Sequence, residues 1–207
     1  MYVLTIDQRH SRSSDDRVPA LLDALAGVPC VAAFERTAGD EVQGLLDHPA
    51  AARSALLVAL RAGEWHCGLG VGGVDDESYA SGTRAGRGPA YLAARTAVED
   101  AKSMPGSVAV RVPAEAGEAA SAWARDCEAV WALVAPLVLD RTEAQWRGGG
   151  ARHRAPPPAP AAPGADIPPT SVAGALRLSR IRDERAAYPA LDRLLAGTHA
   201  AATGGAR

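Results

Sequence analysis

One glycine–aspartate pair, Gly39-Asp40, constrains the fold of this chain more than any other feature. It separates two short apolar runs, Val31-Ala-Ala-Phe34 and Val42 to Leu46. Glycine tolerates positive φ and aspartate hydrogen-bonds its own turn backbone, so the pair is typical of a tight β-hairpin. We therefore predict a hairpin from about Cys30 to Leu46. On that pattern alone, Asp40 is a turn-forming acid.

The apolar patterns along the chain alternate between strand and helix periods. A strand runs from Tyr2 to Ile6 and ends at Asp7, and a glycine-rich strand begins at Trp65. The predicted order is strand, helix, two strands, helix, strand, helix, strand, helix, and the last helix spans Ala114 to Pro136. This order predicts an α+β fold, with an antiparallel sheet and helices packed on one face, of the ferredoxin or palm type.

The composition limits which residue types can form the core and which charged partners the whole chain can attract. Of 207 residues, 47% are hydrophobic, but many are alanine and there is one phenylalanine. We expect Leu and Val to fill the core, with Trp65, Trp123 and Trp131 as the large pieces. A net charge of -2 excludes attraction of the whole chain to nucleic acid or to an anionic membrane, although not a local patch.

The three cysteines, Cys30, Cys67 and Cys127, are far apart and lack CxxC spacing. That pattern favours neither a disulfide framework nor a zinc site, and we expect buried, reduced thiols. No signal peptide opens the chain and no apolar run reaches membrane-spanning length, so we expect a cytoplasmic protein without membrane contact.

The chain changes character near its C-terminal third. We assign the main domain to residues 1–138, followed by a short helix at 139–147, where Thr142 and Gln145 match a capping box. Residues 148–169 are rich in Arg, Ala and Pro and cannot bury enough apolar surface to offset ordering, which predicts a disordered linker. Helices are expected within 170–196, the last one starting at Pro189, and a frayed tail at 197–207.

Two acids and a glycine-rich strand are expected to converge on one polar edge of the sheet. Asp7 ends the first strand, Asp40 lies in the hairpin, and Trp65 to Gly73 is the strand that turns glycine-rich. Paired carboxylates are what a divalent ion on a phosphate needs. The alternative is that Asp7 and Asp40 only cap a strand and a turn.

Four spaced motifs resemble the SatD-like bacterial proteins over residues 1–135. They are Ile6-Asp7, Ala38 to Leu46, Gly68 to Gly73 and Gly88 to Arg95. The same motifs are similar to a distant nucleotidyl cyclase palm, which implies a nucleoside triphosphate as ligand with Mg²⁺ or Mn²⁺ as cofactor. By that resemblance, the metal ligands are Asp7 and Asp40 and the nucleotide-binding residues are Arg36, Gly39 and Arg95. Arg36 corresponds to the position where cyclases select the base, and Arg95 to the one that steadies the triphosphate.

Two positions depart from the cyclase pattern. Tyr91 stands where active cyclases usually carry an asparagine, and an arginine is unusual at the base-selecting position. Loss of one transition-state donor typically costs about 10²–10³ in rate. Binding of nucleotide or metal survives such a change more easily than turnover does.

The C-terminal part resembles a degraded helix-turn-helix, an element with which members of this family end. Thr142 to Trp146 is similar to its first helix, and Ile167 to Arg180 to its turn and recognition helix, but the helix between them is replaced. The resemblance implies weak DNA contact, with the charge supplied by Arg177, Arg180 and Arg182. The alternative for 170–181 is an amphipathic docking helix with a solvated basic face.

Two function classes follow from the sequence. One is a regulator, in which a nucleotide- or metal-binding palm domain is joined to a DNA-contacting tail. The other is a nucleotidyl cyclase-type phosphoryl-transfer enzyme that uses Asp7 and Asp40. An oligomerising scaffold with degenerate sites is a third option, and a homodimer stays open.

Overall fold

A computed structural model describes residues 1–11, 13–75, 78–142, 145–146 and 180–204. One five-stranded sheet has the order β2-β3-β1-β4-β5. All neighbouring strands are antiparallel except β4 and β5, which are parallel. The strands are β1 (Tyr2–Gln8), β2 (Ala32–Arg36), β3 (Glu41–Leu46), β4 (Trp65–Val71) and β5 (Val108–Arg111).

Five described helices accompany the sheet, together with short 3₁₀ turns at Thr83–Ala85 and Ala114–Ala116. None of these described helices has the length and apolar character that a membrane crossing requires. The helices are α1 (Val18–Leu25), α2 (Pro49–Ala62), α3 (Pro89–Ala101), α4 (Gly117–Leu139) and α5 (Ile181–Gly204).

The first six elements, β1-α1-β2-β3-α2-β4, form the ferredoxin-like split βαβ arrangement, because β1 lies between β3 and β4 in the sheet. The α+β class with a largely antiparallel sheet is therefore confirmed. The helices differ from the expectation in one respect, since they cover both faces of the sheet. α1, α2, α4 and α5 supply the core on one face, whereas α3 covers the other.

The two-sided packing follows from the alternation along β1. Leu4 and Ile6 belong to the large core with α1, α2, α4 and α5, while Val3 packs with Ala90 and Ala94 of α3. Val3, Leu4 and Ile6 are fully buried. A strand buried on both faces has a continuous apolar sequence rather than an alternating one, which is the pattern at the start of this chain.

The glycines of β4 are required by the close approach of α3. A Cβ on Gly68 would lie 2.0 Å from the Val98 amide nitrogen, and one on Gly70 would lie 2.1 Å from the Ala90 carbonyl oxygen. Helix backbone therefore rests directly on strand backbone, with alanines filling the helix side. The glycine-rich motif at 68–70 is thus a packing device between β4 and α3.

Helix α5 completes the main core. Its Leu191 and Leu195 are fully buried in the same cluster as Leu4, and the Tyr2 hydroxyl donates a hydrogen bond to the Leu195 carbonyl at 3.2 Å. This differs from the expected appendage that begins a last helix at Pro189 and frays from 197. The helix is continuous from Ile181 to Gly204, because packing against α4 and the sheet outweighs the internal proline.

A buried ion pair fixes the start of α5. The side chains of Arg141 and Glu184 approach to 2.7 Å and are 0% and 1% exposed. The Arg141 guanidinium also lies over the Trp146 ring, 4.2 Å from its centroid, and the Tyr188 hydroxyl donates to Glu184. The predicted capping box is confirmed nearby, since Thr142 and Gln145 exchange hydrogen bonds of 2.9 and 3.4 Å.

Three other expectations concern the linker, the cysteines and the tryptophans. The disordered linker at 148–169 lies outside the described residues. Cys67 and Cys127 are buried free thiols as expected, whereas Cys30 is exposed. Trp65 and Trp131 are buried, but Trp123 is 41% exposed and lies against Gly197 of α5.

Candidate functional site

The predicted hairpin joins β2 to β3 through a tight turn at Gly39, whose φ is 55°. The turn is closed by backbone bonds from Glu41 to Ala38 at 2.9 Å and from Thr37 to Glu41 at 3.0 Å. Within the described part of the chain, the Asp40 carboxylate makes no hydrogen bond or ion pair. Because it caps nothing in its own turn, Asp40 is available to a ligand.

Arg36 is held at the end of β2 by two partners. One guanidinium nitrogen donates to the Gly39 carbonyl at 2.8 Å, and another donates to Asp16 Oδ2 at 2.5 Å. The bond from Arg36 lowers the pKa of Asp16, and the Val18 amide, which donates to the same carboxylate at 3.1 Å, adds to that effect. Arg36 therefore bridges the hairpin turn and the start of α1.

A cavity of about 220 Å³ opens on the α1 side of the hairpin. Gln8 organises its far wall, since its amide donates to Ser14 Oγ at 3.0 Å and to the Asp15 carbonyl at 2.6 Å. Gln8 is 3% exposed and was not predicted as a site residue. The signal that could have found it is a polar residue directly after an apolar strand. The lining residues are Gln8, Ser11, Ser14, Asp16, Arg36, Gly39 and Asp40.

A second cavity of about 470 Å³ lies on the other side of Arg36 and is lined by Glu35, Arg36, Ser81, Arg84 and Ala85. The Arg84 amide donates to Glu35 Oε1 at 2.6 Å, and its guanidinium donates to the Arg36 carbonyl at 2.7 Å. No role for Arg84 was predicted from the sequence. Arg36 is thus shared by two polar cavities.

Asp7 lies at the same edge of the sheet, on the side of α3. In the strand register it is opposite Glu41 on β3 and His66 on β4. The Lys102 ammonium lies 3.3 Å from its carboxylate. Burial raises the pKa of Asp7, Lys102 opposes this, and the charges of Asp40 and Glu41 raise it further. Asp7 and Asp40 therefore interact electrostatically across the edge.

The residues present do not form a ready metal site. The described residues contain no group of three or more His, Cys, Asp or Glu side chains placed to hold an ion. Asp7 already has the Lys102 ammonium as its cation, so only Asp40 is left without a partner. Mg²⁺ is commonly held by one or two carboxylates together with substrate phosphates and waters, so an ion at Asp7 would first have to displace Lys102.

Two further predicted positions on α3 are not part of this edge. Arg95 is exposed on α3, on the opposite face of the sheet from Arg36. Tyr91 is 8% exposed and packs in the α3-side core against Gly86. Burial raises its pKa, and the neighbouring Thr83 hydroxyl opposes that effect. The structure therefore does not bring Arg95 to the hairpin, and Tyr91 has a packing role.

The arginines predicted to contact DNA are only partly described. Arg180 and Arg182 are exposed at the start of α5, and Arg180 donates to Asp183 at 2.8 Å. Arg177 lies outside the described residues. The opposite side of α5 is buried against the domain, so the helix offers only its solvent side to a partner.

Comparisons of the chain with protein-family models, with curated proteins and with solved structures found no match.

Proposed function

We propose that this chain is a regulatory domain that binds a nucleotide around Arg36. The observation that carries the proposal is that Arg36 lines two polar cavities, of about 220 and 470 Å³. Arg36 is also the position to which the SatD-like and cyclase resemblance gives base selection. Small-molecule sites typically measure about 300–1,000 Å³, and the larger cavity falls in that range.

The chemistry of the smaller cavity suits a base and a sugar. Carboxylates of Asp16 and Asp40 accept hydrogen bonds from amino, imino and hydroxyl groups, and Ser14 both donates and accepts. A planar guanidinium stacks on a base or donates to its ring nitrogens and carbonyls. Because Asp16 and the Gly39 carbonyl hold Arg36 in place, little ordering is left for the ligand to impose.

Binding is favoured over catalysis by two contacts. Lys102 neutralises Asp7, so a two-metal mechanism through Asp7 and Asp40 would begin with an ion pair to break. Tyr91 is buried in the core and cannot act as the missing transition-state donor. We therefore propose nucleotide binding that needs no resident Mg²⁺ or Mn²⁺.

Calorimetric titration tests the proposal. The full chain is titrated with ATP, GTP, CTP and UTP, first with EDTA and then with Mg²⁺. We expect at least one nucleotide to bind in EDTA and Arg36→Gln to abolish that binding. The Arg36–Asp16 pair is solvent-exposed, so the variant should lose little stability.

Arg125→Gln is the matched control, since Arg125 forms an exposed pair on α4 with Glu118. Its nucleotide affinity should equal that of the unmodified chain. Failure of all four nucleotides to bind, or an unchanged affinity in Arg36→Gln, would contradict the proposal.

DNA is the second candidate partner, favoured by the exposure of Arg180 and Arg182 at the start of α5. With Arg177 they would neutralise about three phosphates, giving a log–log salt slope of about −3. We expect weak binding without sequence preference, because one side of α5 is buried against the domain and only its solvent side can face DNA. Fluorescence anisotropy with labelled duplexes should show a flatter slope for Arg180→Gln/Arg182→Gln. Salt-insensitive binding, or an unchanged slope, would exclude this contact.

A further inference from the structure

We propose that the larger cavity holds the phosphate chain of the nucleotide and that Arg84 is a phosphate-binding residue. The inference rests on the proposed nucleotide site and adds the orientation of the ligand within it. It is independent of Asp7 and of any bound metal.

The first argument is charge. The smaller cavity contains the carboxylates of Asp16 and Asp40 with Arg36 as its cation, so it repels a phosphate chain. The larger one is lined by Arg84 and by one carboxylate, Glu35, and there the Arg36 backbone carbonyl accepts a hydrogen bond from the Arg84 guanidinium. Glu35 already accepts a hydrogen bond from the Arg84 amide at 2.6 Å. The larger cavity is therefore less negative than the smaller one, and charge-assisted bonds from phosphate oxygens to the Arg84 guanidinium are available there.

The second argument is space. The larger cavity measures about 470 Å³ and the smaller about 220 Å³. The larger volume leaves room for an extended phosphate chain with its water. Arg36 lines both cavities, so a ligand that spans them contacts this residue in each.

The third argument is the positioning of Arg84 on a firmly held 3₁₀ turn. Thr83 is fully buried beneath the turn. Gly82, with φ 112°, lies so close to Glu35 that an added Cβ would be 2.8 Å from its carboxylate, and Gly86 lies against the Tyr91 ring. One Arg84 guanidinium nitrogen donates to the Arg36 carbonyl, and the remaining N–H groups of the fork are available for phosphate oxygens. Arg84 is thus preorganised while its side chain stays exposed.

A phosphate-number series tests the inference. Adenosine, AMP, ADP and ATP, and the guanosine equivalents, are titrated in EDTA into the full chain. Affinity should rise with each added phosphate. In Arg84→Gln the triphosphate should bind roughly 10- to 100-fold more weakly, the usual range for losing a hydrogen bond to a charged group, while the nucleoside affinity is unchanged. Arg84→Lys should retain part of the gain.

Arg87→Gln is the control, because Arg87 is an exposed arginine on the same loop and does not line the cavity. It should keep the full phosphate dependence. Equal losses in Arg84→Gln and Arg87→Gln would reduce the effect to net charge and overturn the inference. The inference would also be overturned by a phosphate dependence that survives in Arg84→Gln, or by one that needs Mg²⁺ and is lost in Asp40→Asn. Nucleoside binding without any phosphate dependence would overturn this inference alone, whereas no binding at all would overturn the proposed function as well.

Discussion

Removal of the Glu184 carboxylate tests whether α5 belongs to the main domain. Glu184 is 1% exposed and faces Arg141, which is 0% exposed, at 2.7 Å. In Glu184→Gln the buried Arg141 charge loses the Glu184 carboxylate, and removing one partner of a buried ion pair typically costs about 3–5 kcal/mol. Domains of this size are stable by only about 5–15 kcal/mol, so the loss should be a large part of the total.

Urea unfolding followed by tryptophan fluorescence measures the loss as a lower midpoint at an unchanged slope. Glu118→Gln is the control, because the Arg125–Glu118 pair is 60% and 82% exposed and such pairs contribute about 0–1 kcal/mol. Arg141→Met/Glu184→Leu should recover most of the stability, since it removes both charges. A loss in Glu184→Gln no larger than in Glu118→Gln would refute the reasoning, because it would mean that the carboxylate is solvated and α5 is not docked.

Two further predictions concern α3 and its end. Gly68→Ala should destabilise the protein by at least about 1–3 kcal/mol, since its Cβ would lie 2.0 Å from the Val98 amide nitrogen; Gly27→Ala, with no atom within 4 Å, is the control in the same urea assay. Burial raises the pKa of Asp7 in the folded state, so protonation of its carboxyl stabilises the fold. This stabilisation is fully present below the unfolded-state pKa and is lost as the pH rises through the folded-state pKa. Asp7→Asn should therefore gain stability relative to the unmodified chain between pH 3.5 and pH 7, and a difference that stays constant or reverses would contradict that sign.

The fold of the first half was predictable because its signals are local. Gly39-Asp40 fixed the hairpin, and the apolar periods gave the order of strands and helices around it. The position of α3 was less accessible, since the reason for Gly68 and Gly70 lies in a helix about twenty residues later in the chain. Residue spacing alone cannot show which face of a sheet a helix will cover.

The C-terminal helix was predicted less well for a physical reason. Pro189 is typical of a first helical turn, so the pattern was divided there, whereas tertiary packing of Leu191 and Leu195 carries the helix through it. The site shows the same limit. Arg36 and Asp40 came from a motif, but Arg84 acquires its place through Glu35, which is 49 positions away in sequence. Lys102 likewise meets Asp7 only in three dimensions.

The backbone contact between α3 and β4 has a mechanical consequence. Where no side chains separate two elements, neither can slide or repack, so a displacement is transmitted rather than absorbed. Tyr91 near the start of α3 lies against the 3₁₀ turn at Gly86, and Lys102 just past its end lies on Asp7, about 16 Å further along the helix axis. Helix α3 thus connects the Arg84 turn to the acidic edge, and we expect a displacement at one end to reach the other.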